Sequence, residues 1–310
     1  MAPTAPQPKQ VIYSSDKNLA IVSCMKGRVV QFFRLYKDEI VLERQIPFRD
    51  QCVELALCDD LVLATTTNFA RPPARLRNQL HIISLAGFSL LASVNTGGNW
   101  SKVICISPEK KTVLVSNWHS HNISVFDFDY SRKTLTFQSV IPWGEAPRGL
   151  AFIRRGDRAL VAGFYSGNIG ELQRDKSGRW KTVYTSPPFD QPNYPGNLRH
   201  IVITPDNQFA LVSNLGRNLI HWWSIPERRF VDSVMVGRSP NTICFLDFPV
   251  LAVSCRESNA VYFVDVESKE VLGRSQFTGR KPTGLCSAPG GFLVTCFEDG
   301  LLEWHRYRGS

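Results

Sequence analysis

Short apolar segments that end in a small or polar residue recur along the chain. Seven copies align with one another, and they occupy residues 19–24, 61–66, 113–117, 159–163, 209–214, 250–255 and 292–296. After each copy comes a turn, often with Asn or Gly, and then a segment in which apolar and polar residues alternate, as in 259–265. Alternation that includes β-branched and aromatic residues predicts strands.

Each copy belongs to a larger unit of predicted strands that repeats about every forty to fifty residues. One strand precedes the apolar segment, as at 104–109, and a fourth follows the alternating segment, as at 231–237. No stripe with a helical period accompanies the repeat, which argues against a helical solenoid. Four strands per unit and seven units predict an all-β fold, a seven-bladed β-propeller with four-stranded antiparallel blades.

The repeat also predicts where each blade begins and ends. We place the blades at 11–50, 51–98, 99–145, 146–195, 196–238, 239–280 and 281–308. The last of these has room for three clear strands, so the seventh blade is expected to be the incomplete one. Residues 1–10 hold three prolines, which are poor strand formers. We therefore expect a flexible N-terminal arm at 1–10 and a single propeller domain at 11–308.

Composition and charge narrow the class of protein further. The 310 residues carry a formal net charge of +9, but the basic residues are scattered, which disfavours nucleic acid as a partner. The eight cysteines include no C-x-x-C pair, and no apolar run is long enough to span a membrane. The N-terminal residues lack the apolar core of a secretory signal. We expect reduced thiols, a cytoplasmic location and no membrane association.

Two motifs carry a resemblance to known propellers. Ser107-Pro108, then Val-Leu-Val-Ser-Asn at 113–117, then Asn-x-Ser-Val-Phe-Asp at 122–127 resemble the YVTN-type repeat of lactonase-like seven-bladed propellers. The segment 197–205 is similar to the Arg-His-Ile segment of 6-phosphogluconolactonase-like members. That likeness carries over to Arg199 and His200 only, because the following strand ends in Asn-Leu where that family has Asn-Glu. It implies ligands on the face around the central channel.

In the repeat alignment, cations occupy one column, at a position that is expected to lie near that channel. When the first strands of three consecutive blades are aligned, the column holds Lys102, Arg148 and Arg199. Arginine presents a planar fork of donors that suits a carboxylate or a phosphate. The column therefore predicts a site for a small anionic molecule, with an ordinary solvated basic rim as the alternative.

The neighbouring loops supply the candidate catalytic and binding groups. We predict acid–base roles for His200, His119, Glu145 and Glu257, since His and tuned Glu can transfer protons near neutral pH. Further substrate-binding candidates are Arg217, Trp118, Tyr165 and His121. The pair at 119 and 121 would share a face of a strand, but catalytic zinc needs three protein ligands and no third is identifiable. No metal and no cofactor are expected.

Two connections stand out by length and composition. The loop 67–78 carries Arg71, Arg75 and Arg77 beside two prolines, which suits a lid or a partner-binding arm. The stretch 186–195 is rich in proline, and its aromatic residues could wall a pocket on the same face.

The leading hypothesis is a lactonase-like enzyme that acts on a small anionic organic substrate by hydrolysis, lactonisation, cyclisation or isomerisation. Proton transfer and oxyanion stabilisation are sufficient for such chemistry without a covalent nucleophile or a metal. The alternative hypothesis is a non-catalytic propeller scaffold whose basic rim binds an acidic protein partner.

Overall fold

A computed structural model describes residues 1–37, 39–69, 78–189, 196–276 and 278–307. Its strands, in chain order, are β1 (Ala2–Pro3), β2 (Pro8–Ser14), β3 (Leu19–Cys24), β4 (Val29–Leu35), β5 (Ile40–Pro47), β6 (Gln51–Cys58), β7 (Leu61–Thr67), β8 (Gln79–Ser84), β9 (Ser89–Asn95), β10 (Ser101–Ile106), β11 (Thr112–Asn117), β12 (Asn122–Asp129), β13 (Thr134–Pro142) and β14 (Pro147–Phe152). They continue as β15 (Arg158–Gly163), β16 (Ile169–Arg174), β17 (Trp180–Thr185), β18 (Leu198–Ile203), β19 (Phe209–Asn214), β20 (Leu219–Ser224), β21 (Arg229–Met235), β22 (Pro240–Phe245), β23 (Val250–Cys255), β24 (Ala260–Asp265), β25 (Glu270–Arg274), β26 (Pro282–Ala288), β27 (Gly291–Cys296) and β28 (Leu301–Arg306). A short 3₁₀ helix spans Arg256–Ser258.

These strands form seven four-stranded antiparallel sheets, which confirms the predicted propeller. Blades 1 to 6 are β2–β5, β6–β9, β10–β13, β14–β17, β18–β21 and β22–β25, and each follows chain order from its innermost to its outermost strand. Blade 7 has the order β1-β28-β27-β26. The part of the chain that the structure describes contains no helix that could span a membrane.

The N-terminus closes the ring, so the prediction of a flexible arm at 1–10 and a three-stranded last blade is wrong. Strand β1 pairs with β28 and supplies the fourth strand of blade 7, with Ala2 opposite Leu302. Strand β2 begins at Pro8, inside the predicted arm. Proline is tolerated here because Pro3 lies on an outermost, edge strand and Pro8 is the first residue of its strand.

The core lies between adjacent blades rather than inside any one of them. Trp222 of blade 5, for example, packs in one buried cluster with Ile243 and Val253 of blade 6. Its indole N–H also donates to the Val266 carbonyl at 3.3 Å. Each apolar second strand is covered on both faces by neighbouring blades, which explains the continuous apolar segments that define the repeat.

The turns between second and third strands have the left-handed backbone that the Asn and Gly pattern indicated. Asn218, Asn259 and Gly300 have φ values of +59°, +49° and +65°. In two blades the left-handed residue lies one position earlier than the aligned Asn, at His121 (φ +53°) and Gly167 (φ +66°). His121 therefore has a backbone role in its turn, and its Nδ1 accepts the Ala146 N–H at 3.0 Å.

Candidate functional site

A β-bulge lies near the start of the innermost strand in all seven blades. The pairing with the second strand shifts register there, for example between Ser101 and Ile104 and between Pro147 and Leu150. Bulges re-aim side chains and are common beside functional sites. The propeller therefore presents one equivalent set of re-aimed side chains around its central axis.

A cavity of about 200 Å³ lies at this level of the central axis. Its lining consists of Lys9, Met25, Lys102, Trp118, Arg148, Phe164, Arg199, Arg256 and Phe297. Four of these side chains come from the bulges of blades 1, 3, 4 and 5, namely Lys9, Lys102, Arg148 and Arg199. The predicted column of cations thus does converge on one cavity, and it contains one more member than the sequence analysis found.

Hydroxyl groups hold these innermost strands to one another. In six blades a second-strand Ser or Thr accepts the backbone N–H of the first strand in its own blade. Five of the six also donate to a backbone carbonyl of the next blade. Ser116 Oγ donates to the Arg148 carbonyl at 3.0 Å, and Thr65 Oγ1 donates to the Lys102 carbonyl at 3.1 Å. The backbone that carries the cations is therefore fixed across blade boundaries.

Glu54 of blade 2 is a buried carboxylate beside the cavity. Its Oε1 lies 2.8 Å from Arg148 Nη2 and 3.9 Å from Lys9 Nζ. Burial favours the neutral acid, but the charges of Lys9 and Arg148 outweigh burial and lower the pKa of Glu54 to about 2. Glu54 is therefore ionised at neutral pH, and it compensates part of the positive charge around it.

Positive charge remains in excess in the cavity. Arg148 is 6% exposed, and its Nη1, like Arg256 Nε, has no hydrogen-bond partner among the described residues. Burial and the nearby Arg148 lower the pKa of Arg199 well below its ordinary value. Buried cations that lack carboxylate partners favour an anion that would replace the missing partner.

Aromatic rings form one wall of the cavity. Trp118 lies 5.7 Å from Tyr165 in a stacked arrangement and 5.6 Å from Phe164 edge to face. Trp100 continues the wall on the other side, 5.3 Å from Trp118 and 5.2 Å from Phe69. These centroid distances are typical of favourable aromatic pairs. Trp118 and Phe164 line the cavity together with the guanidinium groups, so the wall gives the cavity an apolar surface as well as a charged one.

His200 lies one residue beyond Arg199 on the innermost strand of blade 5. Its Nδ1 accepts the Ile243 N–H at 3.4 Å, which leaves the ring proton on Nε2. Burial lowers the pKa of His200 to about 4, although the Glu54 charge opposes the shift. His200 is thus uncharged at neutral pH and can donate a hydrogen bond from Nε2.

Several predicted site residues lie outside the cavity lining, and His200 and Tyr165 are among them. Glu145 and Glu257 are exposed, and Arg217 donates its backbone N–H to Asn214 Oδ1 at 3.1 Å. His119 packs on Trp100 in a tilted arrangement, with ring centroids 5.2 Å apart, and its ring lies 6.4 Å from the His121 ring. No group of three or more His, Cys, Asp or Glu side chains in the described parts of the chain could hold a metal ion.

Three charged residues of the site were missed in the sequence. Lys9 stands two residues before Val11, as Lys102 stands before Ile104, so extending the alignment into the proline-rich N-terminus would have found it. Glu54 lies one residue after the position in blade 2 that is equivalent to Lys102, and nothing in the repeat pattern distinguishes it from its neighbours. Arg256 directly precedes Glu257, which was a candidate, but Arg256 itself was not predicted as a site residue.

The two long connections fall partly outside the described residues. Arg71, Arg75 and Arg77 of the loop 67–78 lie there, as do residues 190–195 of the proline-rich stretch. Of their described members, Phe69 contributes to the aromatic wall, and Phe189 packs on His221 with ring centroids 4.0 Å apart.

Buried histidines give the fold a defined pH dependence. Burial lowers the pKa of His81, His200 and His221 from an ordinary 6.5 to about 4. The unfolded chain therefore binds more protons than the folded one between these values, so stability is complete above about pH 6.5 and falls as the pH drops toward about 4. Urea midpoints measured across this range will show the decline, and His81→Gln will make it shallower. A flat profile would contradict the assignment.

Comparison with known proteins agrees with this architecture. A family model described as "Lactonase, 7-bladed beta-propeller" matches residues 76–194. Antigen Lp49 of Leptospira interrogans serogroup Icterohaemorrhagiae serovar copenhageni is 30% identical over 257 residues, which cover 75% of this chain and 53% of that protein. The chain thus spans about half the length of this curated relative.

Solved structures share the fold at low sequence identity. A functionally unknown protein from Desulfotomaculum acetoxidans superposes with a TM-score of 0.74 at 14% identity, over 94% of this chain and 89% of that one. The periplasmic gluconolactonase PpgL of Pseudomonas aeruginosa superposes with a TM-score of 0.72 at 16% identity, over 89% and 86%. These structures share the seven-bladed β-propeller fold, and over residues 76–194 the chain also matches the lactonase propeller family model.

Proposed function

We propose that the central cavity binds a small organic anion and that the protein is a lactonase-like enzyme acting on it. The observation that carries this proposal is charge: five basic side chains line the cavity, and among the described residues Glu54 is the one carboxylate that forms an ion pair with any of them. At about 200 Å³ the cavity is smaller than most ligand pockets, which suits a compact acid or phosphate better than a large ligand.

The proposed anion takes the donors that the protein leaves unpaired. Arg148 donates a hydrogen bond from Nη2 to Glu54, and its Nη1 is available to the ligand. The Nε of Arg256 is available in the same way. Arg199 contributes a third guanidinium, and it forms no ion pair with a described carboxylate. The faces of Trp118 and Phe164 pack against the carbon skeleton. The ligand is thereby held by charge on one side and by apolar contact on the other.

The chemistry that we propose is the opening or closing of a cyclic ester, or a related isomerisation. Arg148 would stabilise the oxyanion that develops on the carbonyl, since donors fixed in a dry site are most effective there. His200 would donate from Nε2 to an oxygen of the substrate, and His119 remains the candidate for proton transfer at the cavity entrance. The fold family and the gluconolactonase neighbour support this reaction class.

Replacing Arg199 with glutamine tests the binding step. We expect calorimetric affinity for the best anion of a panel (hydroxy acids, sugar phosphates and their lactones) to fall about ten- to a hundred-fold, as charged hydrogen bonds of this kind are worth about 1.5–3 kcal/mol. Arg132→Gln is the matched control, because its side chain is 82% exposed in an outer turn. Equal affinity in the wild type and Arg199→Gln would overturn the proposal, as would no binding by any anion.

The scaffold hypothesis makes a different prediction with the same proteins. An acidic protein partner held by the basic rim would bind Arg199→Gln as well as the wild type, because Arg199 lines the inner cavity rather than the rim. Competition between the partner and a small anion would therefore be weak. The charged cavity is the feature that favours the small-molecule hypothesis over the scaffold.

A further inference from the structure

Lys102 differs from the other buried lysine of the cavity in having no acidic partner. Its side chain is buried, with the residue 8% exposed, and it forms no hydrogen bond or ion pair with a described residue. Lys9, on the equivalent strand of blade 1, lies 3.9 Å from Glu54 Oε1. The two lysines thus share a position in the repeat, and only one of them is paired with a carboxylate.

The surroundings of Lys102 are aromatic and cationic. Its Nζ lies 4.2 Å from the centroid of Phe69, 5.7 Å from Trp118 and 6.0 Å from Trp100. Burial, together with the positive charge of Arg148, lowers the pKa of Lys102 well below its ordinary value. A lysine that is desolvated among apolar groups and placed next to another cation is the arrangement that makes an amine nucleophilic near neutral pH.

We propose that Lys102 is a nucleophilic amine that forms an imine with the carbonyl carbon of a 2-oxo acid bound in the central cavity. This proposal rests on the anion site of the proposed function. Arg148 is the next member of the same column of bulge residues, so a carboxylate held there lies beside Lys102. A carbonyl directly attached to that carboxylate is then the group within reach of Nζ.

Imine formation requires neither a metal nor a redox partner. The lone pair of the neutral Nζ attacks the carbonyl carbon and forms a C–N bond, while the π electrons of the C=O bond move to the oxygen, which takes one of the two amine protons. The resulting carbinolamine then breaks its C–O bond and releases this oxygen as water with the second amine proton, which leaves the C=N bond of the imine. Borohydride then adds hydride to the imine carbon, and the nitrogen takes a proton to give a stable secondary amine. The reduced adduct marks the lysine that reacted.

Reductive trapping with pyruvate tests the proposal on the full chain. After incubation with pyruvate and borohydride, peptide mass spectrometry should find one adduct, on Lys102, with at least about ten-fold less label on any other lysine. Lys102→Arg keeps a long basic side chain but lacks the amine, so it should abolish the adduct, and Lys102→Met serves if the arginine variant does not fold. Lys181→Arg, at an exposed lysine on the outermost strand of blade 4, is the control and should still be labelled at Lys102. Lys110, which is exposed, reports non-specific reaction.

Calorimetry without borohydride separates this proposal from the anion site. Lactate has the carboxylate of pyruvate but a hydroxyl group in place of its ketone carbonyl. It should therefore bind in the cavity and protect Lys102 from labelling by pyruvate. If lactate and pyruvate bind but no adduct forms, or if the adduct lies on Lys9, the imine proposal is overturned and the anion site stands. If neither acid binds and no adduct forms, the anion site fails for this class and the imine proposal fails with it.

Discussion

Glu54→Gln is expected to lower the free energy of unfolding by about 3–5 kcal/mol, the usual effect of removing one partner from a buried ion pair. The substitution keeps the shape of the side chain and removes its charge. Arg148 and Lys9 then lose the carboxylate that lies 2.8 Å and 3.9 Å from their nitrogens. With Glu54 gone, the cations of the cavity repel one another with nothing buried beside them to compensate.

Urea denaturation of the two proteins measures this effect, and added phosphate gives it a specific signature. An anion in the cavity can take over the role of the lost carboxylate, so phosphate should restore part of the lost stability of Glu54→Gln. Glu171→Gln is the matched control. Glu171 is also buried and pairs with Arg158 and Arg228, but it lies outside the cavity. Equal rescue of both variants by phosphate would refute a cavity-specific effect.

The same carboxylate makes the stability of the fold depend on pH in the acid range. The pKa of Glu54 is lowered from 4.5 to about 2 in the folded protein. Its contribution to stability is therefore complete above about pH 4.5 and is lost as the pH falls through this range toward about 2. The loss in Glu54→Gln should accordingly shrink at low pH, because the wild-type carboxyl is then protonated as well.

Deleting residues 1–6 is expected to destabilise the propeller by about 3 kcal/mol or more, at about 1 kcal/mol for each net hydrogen bond lost. The deletion removes β1 and its ladder with β28. It also removes the Thr4 N–H bond to the Gly300 carbonyl at 2.8 Å, the Ala5 N–H bond to Gln31 Oε1 at 2.8 Å, and the acceptor of the Gly27 N–H. The outer edge of β28 would then be unpaired, and unpaired edges promote aggregation.

Thermal unfolding and hydrogen exchange together test this closure. The deleted protein should melt at a lower temperature, and the amides of 301–306 should lose protection more than those of blades 3 and 4. Removing Met1 alone is the control, since Met1 is 81% exposed and should leave both measurements unchanged. An unchanged melting temperature in the longer deletion would mean that the ring closes without β1.

The repeat determined most of the fold because its signals are local. Alternation along a strand and a tight turn after it depend on neighbouring residues, so all seven units and most blade boundaries were predictable from the sequence. The same locality explains the error at the N-terminus. Three prolines within 1–10 argue against a strand, and only the pairing of Ala2 with Leu302, at the far end of the chain, gives residues 2–3 their place.

The candidate site, like the fold, was only partly predictable from local sequence signals. The sequence by itself determined that Lys102, Arg148 and Arg199 share a position in consecutive repeats, because equivalent residues of a propeller face the same axis. Only the tertiary structure decided which other groups meet them. Glu54 bonds to Arg148 across 94 residues of sequence, and Lys9 joins from the strand next to the closure. Charge compensation in a buried site depends on distances of a few ångströms between blades, and no repeat pattern records those distances.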